Sequence, residues 1–180
     1  MIATLRYLKR NRFFSGKLLT VEDLALEQEF VREKLKRHNR HLHGFGVVFG
    51  LEVSRSGSAV VISPGLAIDC QGNEIVVPEP VKQSFPSPDL GNTVFLSIRY
   101  IEKETDPVPN SLPNSSEMEN SRIEEGAVAV FEKGNANQGH RHFKGRWRSC
   151  GESHGLTIAK LRVSSGQWRI DRRHHAPLIK

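Results

Sequence analysis

The stretch that decides the fold is RFFSGKLLTVEDLALEQEFVREKLKRHNRHLHGFGVVFGLEV, residues 12–53, followed after a short turn by VVISPGLAIDCQGNEIVV, residues 60–77. Its first half has helical spacing. Thr20 is placed to cap a helix, with Glu22 and Asp23 in the first turn, where the helix macrodipole favours anions. Leu24, Val31, Leu35 and Leu42 then recur on one side. Arg32, Lys34, Lys36, Arg37 and Arg40 crowd the last turns, where cations are favoured. The pattern predicts one helix from Val21 to His43, roughly 30–35 Å long at ~1.5 Å per residue. Its apolar stripe is only about one side chain per turn wide. A helix this long and this lean lies across a surface or against another subunit rather than inside a core.

At Gly44 the period changes. GVVFGLEV, SAVVIS, GLAID and NEIVV are short β-branched runs broken by Ser56-Gly57, Pro64-Gly65 and Gln71-Gly72-Asn73, which predicts a meander of hairpins. Gly16, Gly44, Gly46, Gly50, Gly65 and Gly72 fall at element boundaries, where a positive φ or a close backbone approach is needed. Gly44 is read as a left-handed helix terminator. Asp69 is read as bonding the backbone amides of the turn that carries Gly72.

Working outward, TVFLSIRYIEK (93–103) reads as a strand in which Val94, Leu96 and Ile98 alternate inward. Residues 105–121, with three prolines, read as an exposed loop. GAVAVFE is a further strand, 133–155 a second polar insertion, and LTIAKLRV with QWRID a closing hairpin around Ser164-Ser165-Gly166. The fold class expected is α+β, mainly β. It divides into an extended N-terminal arm (1–19), a long docking helix (20–43) and a β-rich antiparallel body (44–180) with loop insertions at 105–121 and 133–155.

Composition bounds the function. The chain has 180 residues, 37% of them hydrophobic and 26% charged, which suits one lean globular domain with surface left for a partner. No apolar run approaches the roughly 20 residues of a bilayer span. The basic opening MIATLRYLKRNRFF lacks the apolar segment of a secretory signal, and Cys70 and Cys150 are too few for a disulfide scaffold. A reduced, cytoplasmic setting is expected. Residues 1–40 hold ten Lys/Arg against five acids and 140–180 hold ten against two, whereas 41–139 hold six against thirteen. Such ends and middle suit packing between copies or neighbouring subunits.

Catalytic and metal signatures are poor. Ser15-Gly16-Lys17 has no phosphate-loop frame. Glu104/Asp106 and Glu117/Glu119 have no apolar walls to shift a pKa. Cys150 has no partnered base. His41 and His43 diverge on a helix, and His140, His142, Cys150 and His154 match no strong zinc spacing. No enzyme, metal or cofactor is expected.

FFSGKLLTVEDLALEQEF, HNRHLHGFGVVFGLEV, PGLAIDCQGNEI and a final strand pair ending in RRHHAPLI together resemble a family of small proteins. These are encoded in the clusters of phage-tail-like contractile injection systems and related tailed-phage structural clusters. The resemblance covers about 90 of the 180 residues. It implies a baseplate or spike-proximal structural subunit with no catalytic role, assembled into a phage-tail-like particle beside other baseplate or spike subunits.

The residues expected to form the interface are Phe13, Phe14, Leu24, Val31, Arg37, Arg40, Arg172 and Arg173. Gly44, Gly46, Gly65, Asp69 and Gly72 are expected to serve the turns. The alternative is a polyanion or nucleic-acid binder using the basic ends, with Phe13, Phe14, Phe143, Trp147 and Trp168 available to stack. Nucleic acid is the less favoured partner, because Trp168 sits on a strand beside Ile170 and reads as core.

Overall fold

The computed structural model describes residues 9–111, 117–135 and 155–179. The helix forms where its spacing predicted. Thr20 Oγ1 accepts from Asp23 N at 3.3 Å, and α1 runs Val21–His38. A π-turn over Asn39–His43 continues it to the predicted end. Gly44 then turns the chain with its N–H donating to Asn39 O, at φ 83° and ψ −153°. That φ needs glycine, but the ψ is not left-handed helical. The expected terminator is therefore an extended reversal instead, because the widened turn already satisfies the last carbonyl.

Three consecutive chain segments form the meander, and each is bent in the middle. β1 (Gly46–Gly50) and β2 (Val53–Ser56) make the first, β3 (Ala59–Ile62) and β4 (Gly65–Ile68) the second, β5 (Glu74–Val77) and β6 (Val81–Ser84) the third. β2 pairs with β3 and β3 with β6, while β1 pairs with β4 and β4 with β5, all antiparallel. Across the bend, Leu51 N donates to Pro64 O and Ser63 N to Glu52 O, so the ladder continues around the corner. Pro64-Gly65 is thus a corner between two sheets, not the hairpin turn predicted. Gly65 is required there by closeness, since a Cβ would fall on Phe49 O and Leu51 N.

A four-stranded sheet of order β10-β9-β7-β8 closes over the meander. Its strands are β7 (Thr93–Pro109), β8 (Met118–Glu132), β9 (Leu156–Ser164) and β10 (Gln167–Ile170). Val94, Leu96 and Ile98 point inward as predicted. They pack with Leu156 and Leu161 against Val60, Ile62 and Ile75 of the meander, all with 1% exposure or less. A register shift at Leu96/Ser97 buries Ser97 as well, where its hydroxyl lies 3.0 Å from Thr157 Oγ1. The β9–β10 hairpin turns on Ser165 (φ 52°) and Gly166 (φ 71°), the two positive values that a tight two-residue turn requires.

Within the expected loop 105–121, residues 105–109 and 118–121 are strand, and 112–116 lie outside the described residues. β9 accompanies β7 only from Thr93 to Ile98, but β7 and β8 remain paired out to Pro109↔Met118, forming a two-stranded ribbon that projects beyond the sheet. Prolines are tolerated there because β7 has a strand on one side only, so a missing N–H costs no ladder bond on the other. Of the second insertion, 136–154 lies outside the described residues.

Candidate docking surfaces

Between Phe13 and Leu42 ten large apolar side chains are exposed, and Phe30 alone of that set is half-buried. Leu24 is 54%, Val31 57% and Leu35 49% exposed. At about 100° per residue these three lie within ~20° of one line, so they form a bare stripe along α1. The half-buried positions, Asp23, Glu27, Phe30, Lys36, Arg37 and Arg40, are mostly charged. Burial is therefore inverted relative to an ordinary amphipathic helix, with the apolar stripe in water.

Two contacts fix the ends of the helix, the first within the arm–helix unit and the second to the β-body. At its start, Lys17 Nζ bonds Asp23 Oδ1 at 2.9 Å, and Asn11 Nδ2 donates to Asp23 O. The lysine holds the Asp23 carboxyl below its usual range, and the backbone amide and Thr20 hydroxyl do the same for Glu22. Phe13 and Phe14, 54% and 62% exposed, sit just before this clamp, with Lys17 Nζ 5.3 Å from the Phe13 ring centre.

The second anchor is at the other end. Buried Asn39 donates from Nδ2 to Gly72 O at 3.0 Å. Asp69 shapes the receiving turn, accepting from Gln71 N at 2.8 Å, Asn73 N at 2.9 Å and Asn73 Nδ2 at 2.8 Å. Gly72 (φ 87°) is needed because a Cβ would strike Lys36 O. Midway, Arg32 bonds Glu29 at 2.5 Å and Glu102 on β7 at 3.2 Å. Asn39 escaped sequence reading, since a lone asparagine near a helix end has no periodic signature. The π-turn also brings His38 Nε2 to 3.1 Å from His43 Nε2, a pairing that regular helical spacing does not anticipate.

The C-terminal segment covers the outer edge of β1. Val47 N donates to Pro177 O at 2.7 Å and Ile179 N to Val47 O at 2.9 Å. Gly46 permits this, because a Cβ would meet Pro177 O. Arg173 is exposed, its N–H bonded to Asp171 Oδ1 at 3.1 Å. Arg172, also exposed, lines a groove of about 710 Å³ with Val53, Ser54, Arg55, Arg169 and Ile170.

The interface residues expected from sequence thus fall on separate surfaces. Phe13, Phe14, Leu24 and Val31 share the bare arm and stripe, Arg37 and Arg40 are half-buried, and exposed Arg172 and Arg173 follow β10, with Arg172 beside β2. Of the aromatics weighed for stacking, Trp168 is half-buried against the core, and Phe143 and Trp147 lie outside the described residues. So do His140, His142, Cys150 and His154. Among the described residues, no three His, Cys, Asp or Glu side chains are grouped to hold a metal. No helix is long and apolar enough to cross a membrane. The paired acids Glu104/Asp106 and Glu117/Glu119 are all exposed, which leaves them the solvated carboxylates of a surface.

No protein-family model and no curated protein matches the chain. Solved structures do. A chain of the type VI secretion system TssK-TssF-TssG baseplate subcomplex, seen by cryo-electron microscopy, is similar with TM-score 0.55 and 13% identity over 96% of this chain and 62% of that one. A chain of the type VI secretion baseplate complex gives TM-score 0.55 and 13% identity, covering 96% and 60%. Crystalline TssK gives 0.56 and 10%, covering 96% and 42%. The likeness is one of fold, shared with baseplate proteins of a secretion machine, and this chain spans about two fifths to three fifths of the chains it matches.

Proposed function

We propose that the protein is a structural subunit of a contractile, phage-tail-like baseplate, an adaptor docking between neighbouring subunits rather than an enzyme. The observation that carries this reading is the solvent-facing apolar surface of the arm and α1, tied to the body by the Asn39–Gly72 bond and the Arg32–Glu102 ion pair. Ten exposed large apolar side chains within thirty residues form a surface that a monomeric protein rarely leaves bare. The fold shared with type VI baseplate chains supports the same class of assembly. Phe13 and Phe14 are the aromatic anchors, since buried aromatics dominate contact energies. The C-terminal Arg172-Arg173 segment adds a second, charged contact. In this role the chain works in the cytoplasm, where such particles are built.

The test replaces Leu24, Val31 and Leu35 together with serine. The melting temperature of the isolated protein should hold or rise slightly, because exposed sites away from special features usually change stability by less than about 0.5 kcal/mol each. Incorporation into particles should be lost. Normal incorporation of the triple variant would refute the docking role of the helix.

A further inference from the structure

The groove lined by Arg55, Arg169 and Arg172 lies between two sheet edges. β2 ends the order β2-β3-β6 and β10 ends the order β10-β9-β7-β8, so neither has a strand partner on the groove side among the described residues. This sets them apart from β1, whose outer edge is closed by the C-terminal segment. The groove has an apolar floor of half-buried Val53 and Ile170, and its three guanidiniums stand exposed. Arg55 bridges the seam by donating from Nη1 to Trp168 O at 3.1 Å. Neighbouring Asp171 does not line the groove, and its carboxylate is tied to Arg162 at 2.5 Å. β2 and β10 approach each other along this seam, so what the groove offers is an apolar floor and a cationic rim, which fit an acidic segment carrying some apolar side chains.

The chain itself makes such a segment. Over 101–109 and 118–126 the β7–β8 ribbon carries Glu102, Glu104, Asp106, Glu119, Glu124 and Glu125 against Lys103 and Arg122. Glu102 and Glu125 stand directly opposite each other, a placement that destabilises a ribbon unless cations answer it. In this chain Arg32 of the helix answers Glu102. Ile101, Val108, Met118 and Ile123 are exposed along the same ribbon. An isolated two-stranded ribbon is marginal in water, so bare apolar residues here also favour a docked state.

The ribbon cannot reach the groove of its own molecule. β10 lies beside residues 161–164 of β9, of which Leu161 and Arg162 are in register with Val94 and Thr93 at the start of β7. The ribbon begins only after Ile98 and runs the opposite way. From Val94 to Val108 is about 45 Å at ~3.3 Å per residue. Donor and acceptor thus sit at opposite ends of one sheet, the arrangement of a head-to-tail contact between copies.

We infer that the acidic β7–β8 ribbon of one copy seats in the arginine groove between β2 and β10 of a second copy. The contact is heterologous, so repetition gives a closed ring or an open chain of subunits. It rests on the reading of this protein as an assembly subunit and names a second copy as one of its partners. The bare stripe of α1 remains for a different neighbour.

The test is sedimentation velocity of the purified full chain, over a concentration series at low and high salt. Self-association should weaken as salt rises. Glu104→Lys and Glu119→Lys combined with Asp106→Asn on the ribbon, or Arg169→Glu with Arg172→Glu in the groove, should each weaken it about tenfold or more, since like charges then face each other. Mixing the ribbon variant with the groove variant should restore association, because each ribbon then meets a groove of opposite sign. That rescue is not expected if the substitutions only damage folding. A chain that stays monomeric at ~100 µM and low salt would overturn the inference, as would variants that associate like wild type. So would groove variants that lose binding to a duplex oligonucleotide while self-association persists, which would make the occupant a nucleic acid. Particle incorporation is scored separately. Failure of self-association with normal incorporation removes this contact and leaves the baseplate role standing.

Discussion

The β-body and the arm-helix unit treat apolar side chains in opposite ways. In the body, Val60, Ile62, Ile75, Val94, Leu96, Ile98, Leu156 and Leu161 are almost wholly buried, each worth about 1.5–3 kcal/mol relative to exposure. In the unit from Phe13 to Leu42, no large apolar side chain is fully buried. Apart from the β7–β8 ribbon the body thus has a core of its own, whereas the helix is positioned by polar contacts and leaves its apolar surface for something else. A helix meant for its own core would turn Leu24, Val31 and Leu35 inward. Here Asn39 and Arg32 tie it to the body instead, and the stripe remains available.

The largest expected effect breaks that contrast at the helix anchor. Gly72→Ala puts a Cβ against Lys36 O and forces φ 87° on a non-glycine residue, so it should cost about 2–4 kcal/mol in chemical denaturation. It should also release the helix, making the 21–43 segment sensitive to protease in a chain whose sheets remain folded. Unchanged stability and unchanged proteolysis would mean that the anchor does not hold the helix. Gly44→Ala sharpens the comparison, because a Cβ there meets nothing within 4 Å and only the backbone is strained. Its cost should be smaller, about 1 kcal/mol. A Gly44 variant more damaging than Gly72→Ala would place the critical contact at the reversal rather than at the Asp69–Asn73 turn.

These two glycines also mark how far the sequence was legible. Both were identifiable as boundary residues, and the Thr20 cap, the Asp69 turn and the Ser165-Gly166 hairpin were readable because each depends on neighbours a few residues away. The bare stripe was anticipated from its narrowness. The ribbon was not readable: Pro107 and Pro109 imitate a loop, and a strand solvated on both faces has no alternation to detect. The corner at Pro64-Gly65 resembled a turn because its requirement comes from Phe49 and Leu51 across the ladder. The arginine groove brings Arg55 to Trp168, 113 positions apart, which no local pattern encodes.

The smallest expected effect concerns the body's C-terminal segment. His174 lies edge-on to Phe95 with ring centres 5.9 Å apart, and its pKa is pushed below the usual 6.5, first by burial and then by the Lys160 charge. The unfolded chain therefore takes up this proton first as pH falls. The contribution is fully present above pH 6.5 and is lost as pH drops from there through the lower folded value. The melting temperature of wild type should fall more between pH 7 and pH 5 than that of His174→Gln. Identical pH profiles would mean that His174 is as well solvated in the native state as in the unfolded one.

The central claim is that the apolar stripe of α1, bare in the isolated chain, is covered in the assembled particle. Hydroxyl-radical footprinting read residue by residue by mass spectrometry tests it most directly. Leu24, Val31 and Leu35 should oxidise readily in the isolated protein and be protected severalfold in particles, while buried Leu96 and Leu161 stay protected in both. Equal oxidation of the stripe in the isolated chain and in particles would contradict the account.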